Sequence, residues 1–128
     1  VPVKPGQLAE SRHIVPTPAE KQALFATTNA AAVDMESAAV ARVAQAHGLP
    51  FLAVRAVADT AAMAMPAAVL VSLNPRGDVR PGKLLAHLAR HPAQVSELIR
   101  LGRAFGAAVG TLRRVRQVAG TDFCFPPR

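Results

Sequence analysis

The stretch "ESAAVARVAQAHGLPFLAVRAV", residues 36–57, constrains the fold more than any other part of the chain. Val40, Val43 and Ala44, with Ala39 and His47, recur at three- and four-residue spacing, while Arg42 and Gln45 fall elsewhere. That periodicity predicts a helix over 36–47 with one apolar face. Gly48 supplies a C-terminal stop and Pro50 blocks continuation. The following "FLAVRAV" is almost unbroken in apolar character, which predicts a strand buried on both faces, as in a parallel sheet. Upstream, "AAAVDM" fits a short buried strand. Strand, helix, Gly-x-Pro and strand together make a βαβ unit, expected to be right-handed. The expected fold class is therefore α/β: a partial three-layer αβα sandwich with a parallel or mixed sheet, plus a C-terminal helical segment.

The flanks are read from local chemistry. Pro2, Pro5 and Gly6 predict a loop over residues 1–12, and "HIV" a short strand stopped by Pro16. Thr17 as N-cap, Pro18 at the first helical position and Glu20 three residues after the cap predict a helix that ends near Thr27–Asn29. Residues 59–68 read as a connection, "AVLVSL" as a strand or a helical turn, and "NPRGDVRPG" as a turn. From Lys83 the pattern is helical, broken at Pro92. In the second helix Val95, Leu98, Ile99, Leu101, Phe105, Val109 and Leu112 mark an apolar face. The expectation is one domain over 1–128, with a basic helical extension over 83–118.

Length and charge narrow the class. A chain of 128 residues, 51% hydrophobic, suffices for one core and is too apolar for general disorder. No apolar run reaches the roughly 18–20 residues that span a bilayer. The start, "VPVKPGQLAE", lacks an initiator Met and a signal-peptide layout, so the chain is expected to be a fragment. The lone cysteine, Cys124, can form neither an internal disulfide nor a metal cluster. The net charge of +7 lies wholly in residues 76–128, which hold ten basic and three acidic side chains. Such charge can meet an anionic surface. Nucleic acid is disfavoured because no aromatic residue interleaves the run "LRRVRQ" to stack bases. His87 and His91 stand four apart on a predicted helix, but no third ligand is in view and no metal is expected.

Three of only eight acidic residues, Asp34, Glu36 and Asp59, fall at the ends of the most apolar segments. In an open parallel sheet ligands bind beyond the carboxyl ends of the strands, so these acids mark the expected site. Each also has a structural reading: Asp34 or Glu36 as helix N-terminal caps, Asp59 as an ordinary cap. Arg55, mid-strand, reads as a buried ion-pair partner.

"AVDMESAAVARVAQAHGLPFLAVRAVADTA" resembles the second half of the purine nucleoside phosphorylase and methylthioadenosine/S-adenosylhomocysteine nucleosidase superfamily. "HIVPTPAEK" and "SLNPRGDVRPGKLLAHLARHP" are similar to its hopanoid-associated phosphorylase branch, whose members act on adenosylhopane. The resemblance covers most of residues 10–105. It implies cleavage of an N-glycosidic bond with release of adenine. Asp59 would be the catalytic acid that protonates or hydrogen-bonds N7 of the purine, which needs burial or nearby negative charge to keep its proton. Glu36 would accept the ribose hydroxyls and Met35 would pack on the ribose. His13 and Ile14 would line the base pocket. Ala58 stands where the nucleosidase branch has Ser, and the family's Gly-containing phosphate segment lies upstream of the residues matched. No organic cofactor is implied, and inorganic phosphate stays open as co-substrate. The implied partners are a purine nucleoside, lipid-linked in the hopanoid branch, and a second copy of the chain. The implied location is cytoplasmic, with peripheral membrane contact. Two alternatives stay open: an inactive or partner-dependent fragment, and a basic module binding an anionic membrane surface.

Overall fold

The structure, a computed structural model, describes residues 4–74 and 77–120. Cys124 therefore lies outside the described residues. The chain is α/β. Two strands, β1 (Leu8–Glu10) and β2 (Ala32–Asp34), pair in parallel, with Leu8 opposite Ala32 and Glu10 opposite Asp34. Backbone bonds from Ala31 to Gln7 and from Ser11 to Asp34 extend the pairing by one residue at each end.

Helix α1 (Pro18–Thr28) crosses between the strands. It begins where the sequence says it should: the Thr17 hydroxyl accepts from the Glu20 N–H while the Glu20 carboxylate accepts from the Thr17 N–H. This reciprocal box satisfies two donors that the first turn leaves open. It ends at Asn29, which takes a left-handed conformation that Asn tolerates better than most residues, and whose N–H donates to the Phe25 carbonyl. Helix α2 (Ser37–Ala46) stops at Gly48, with positive φ, while the Leu49 N–H returns to the Ala44 carbonyl. An exposed two-pronged pair between Arg42 and Glu10 joins α2 to β1.

Two expectations about strands are corrected. The first strand is Leu8–Glu10, inside the stretch expected to be loop, and "HIV" is not a strand. Local breakers at Pro5 and Gly6 end before the strand starts, and pairing with β2 decides the rest. Residues 51–57 run extended but join no sheet: among the described residues no backbone hydrogen bond involves residues 51–58. Phe51, Leu52 and Val57 are exposed rather than buried. An apolar run states a preference for burial; a strand also needs a partner edge. The βαβ unit that forms is accordingly β1–α1–β2, one unit earlier than the spacing suggested.

The "AVLVSL" segment resolves to its helical alternative, α3 (Ala67–Ser72), started by Pro66. Asn74 and Asp78 exchange side-chain and backbone bonds in the turn that follows. Helices α4 (Pro81–Arg90) and α5 (Gln94–Ala119) occupy the stretch expected to be helical. The Gln94 side chain accepts from the Ala68 N–H, so the start of α5 caps the start of α3. Ala68 and Ala108 are the buried hydrophobic residues among those described, while Val43, Leu85 and Phe105 are exposed. No described helix is long and apolar enough to cross a membrane.

Candidate active site

A cavity of about 670 Å³ opens between the start of α1, the end of β2 and the extended segment 55–65. Its volume falls in the range of roughly 300–1,000 Å³ typical of small-molecule sites. The wall is largely apolar, from Ile14, Val15, Leu24, Phe25, Val33, Met35, Val57 and Met65. Polar side chains break it at Ser11, His13, Lys21, Gln22, Asp34, Arg55 and Asp59.

Of the residues singled out in the sequence, His13, Ile14, Met35 and Asp59 line this one cavity. Glu36 does not. It is exposed at the N-cap of α2 and its side chain makes no capping bond. The cap is supplied two residues earlier: Asp34 accepts from both the Ser37 N–H and the Ser37 hydroxyl. With the helix start already satisfied, the Glu36 side chain is left toward solvent beside Met35.

Asp34 also accepts from Arg55 Nε at 2.7 Å, and the second arm of Arg55 donates to Ser37 Oγ at 2.6 Å. Arg55 is thus an ion-pair partner, as expected, but at 44% exposure it is not a buried one. Burial pushes the Asp34 carboxyl upward; the hydrogen bonds from Ser37 and Arg55 together outweigh that and hold it below its ordinary value. The cluster joins the end of β2 to the 51–58 segment through side chains, in place of the missing backbone ladder.

Asp59 caps no helix. Its Oδ1 accepts from the Lys21 ammonium at 2.6 Å, in a pair whose side chains are 26% and 10% exposed. Lys21 also donates to the carbonyls of Thr60, at 3.0 Å, and Met63, at 2.7 Å. The charge beside Asp59 is therefore positive, where the sequence reading asked for burial or a negative neighbour. Lys21 itself escaped that reading. Four residues after the Thr17 cap, a lysine looks like one more solvated helix cation, and nothing local distinguishes it.

For other ligands the described residues offer less. His87 and His91 sit with ring centroids 4.5 Å apart. Among the described residues no group of three His, Cys, Asp or Glu is arranged to hold a metal ion.

Fold and cavity together define a small α/β unit with a largely apolar cavity whose polar groups come from at and beyond the two strand ends, from α1 and from the 55–59 segment. Residues 1–76 match the Phosphorylase superfamily, and the chain belongs to that family. No curated protein and no solved structure matches it.

Proposed function

We propose that this chain cleaves the N-glycosidic bond of a purine nucleoside, releasing adenine. The observation that carries the reading is the convergence of Asp59, Met35, His13 and Ile14 on one cavity in a member of the phosphorylase superfamily. The base would lie against His13 and Ile14, with Met35 against the sugar. As the bond from the ribose C1′ to the purine N9 breaks, its electron pair goes to the base. In its protonated form Asp59 passes the Oδ2 proton to N7, which lowers the barrier to departure, and is left as a carboxylate paired with the Lys21 ammonium. A phosphate oxygen then bonds C1′, or a water oxygen does so and releases its proton to solvent. Glu36 enters only if its side chain turns inward on substrate binding to accept the ribose hydroxyls. The apolar remainder of the wall, from Leu24, Phe25, Val33 and Met65, supports a substrate with an apolar appendage, of which adenosylhopane is the lipid-linked case.

The proposal extends to a second copy of the chain and to the membrane. Val40, Phe51 and Leu52 are exposed and line one shallow hollow, which a second copy of the chain would cover. The basic 83–118 extension of this cytoplasmic enzyme would meet anionic headgroups of the membrane holding a lipid substrate. The test is base release from adenosine, methylthioadenosine and an adenosylated lipid, each with and without inorganic phosphate. Release lost in Asp59→Asn supports the proposal. No release from any of the three sinks it, and salt-sensitive vesicle binding by the same inactive protein would favour the membrane-binding module instead.

A further inference from the structure

We infer that Lys21 is the positioning residue for Asp59, fixing one carboxylate oxygen so that the other is presented to the substrate; this rests on the reading just proposed. An ammonium has three N–H donors. The three acceptors around Lys21, namely Asp59 Oδ1 and the carbonyls of Thr60 and Met63, use all of them. At 10% exposure the side chain has little contact with water. A lysine so saturated has no donor left for a ligand and no free amine for covalent chemistry, so its effect on a reaction passes through Asp59.

Lys21 engages only Oδ1. Oδ2 of Asp59 accepts no hydrogen bond among the described residues, and Asp59 lines the cavity. The two carbonyls lie one and four residues beyond Asp59, so the same ammonium fixes both the carboxylate and the turn that carries it. A second tether, from the Met65 N–H to the Pro16 carbonyl at 2.8 Å, holds the far end of that turn to the entrance of α1. Between these anchors runs a segment without regular structure. A carboxylate on such a segment would otherwise wander by more than the roughly 1 Å that separates productive from unproductive geometry.

Lys21→Met keeps the apolar stem and removes the donors; Lys21→Arg keeps the charge. Two measurements separate this inference from the proposal beneath it. The first is amide hydrogen exchange, which needs no activity. Lys21→Met is expected to speed exchange of the two hydrogen-bonded amides of that turn, Met63 and Met65, by roughly tenfold or more while leaving the rest of α1 unchanged. Unchanged exchange at the Met63 and Met65 amides overturns the inference. The second is the kinetics of base release. Loss of positioning lowers kcat by about 100-fold with KM within about threefold, and Lys21→Arg recovers part of kcat. A wild type that turns over alongside an equally active Lys21→Met also overturns the inference. A wild type that releases no base sinks the glycosidic reading alone, and exchange still decides what Lys21 does.

Discussion

Replacing Arg55 with Met tests how the end of β2 is held to the segment that leads into Asp59. Met keeps most of the side-chain length and deletes two charge-assisted donors, at 2.7 Å to Asp34 and 2.6 Å to Ser37. Such bonds are worth about 1.5–3 kcal/mol each where water is excluded. Arg55 is 44% exposed, so solvent screening discounts them, and Asp34 keeps both of its bonds from Ser37 in the variant. The expected loss at pH 7 is about 1–2 kcal/mol.

The pH dependence distinguishes the ion pair from mere loss of packing. Asp34 is held below its ordinary value near 3.8, so it binds fewer protons folded than unfolded across that interval. Its contribution is complete above the unfolded value and is lost as pH falls through the lower folded value. Arg55 supplies part of that depression. The gap between wild type and Arg55→Met should therefore be constant from pH 7 to about 5 and narrow below about pH 4. The Glu10 carboxyl is also held low, chiefly by the hydrogen bond from Arg42, but it is common to both proteins and cancels in the difference. Urea unfolding followed by circular dichroism at pH 7, 5, 4 and 3 reads the gap directly. A gap that stays constant to pH 3 would mean that the Arg55 stem, and not its charge, supports the joint; no gap at pH 7 would refute the tie altogether.

Three further expectations concern the frame and the pocket. Thr17→Ala removes the hydroxyl half of the cap on α1 and should cost about 1 kcal/mol in thermal or urea unfolding, with Thr17→Ser recovering most of it. Gly6→Ala would set a Cβ 2.7 Å from the Ala31 Cβ, too close for either atom to keep its place. It should destabilise by about 1–3 kcal/mol, and Ala31→Gly in the same chain should relieve most of that. Met35→Ala should weaken binding of a 2′,3′-dideoxynucleoside, measured by calorimetry, far more than Glu36→Gln does, because Met35 lines the cavity and Glu36 does not.

The chain's punctuation was legible because it is local. Thr17, Pro18 and Glu20 start α1, and Gly48 with Pro50 ends α2, through bonds within a few residues that any surroundings would permit. The α/β class and the acids at segment ends followed from the same short-range patterns. What lies beyond a few residues did not follow. That Leu8–Glu10 and not residues 51–57 would pair with β2 depends on which backbone edge a segment meets, and composition carries no record of that. That Asp34 would cap α2 and leave Glu36 exposed was a choice between two carboxylates two residues apart, settled by Arg55 reaching in from a distant segment. Lys21 meets Asp59 across 38 residues of sequence, and a lysine's long stem hides its destination until the tertiary structure bends the chain back. Alone, the sequence determined where α1 begins and α2 ends, because that capping is short-ranged chemistry. Only the tertiary structure decided which charges face one another, because that is set by where the folded backbone brings distant residues into reach.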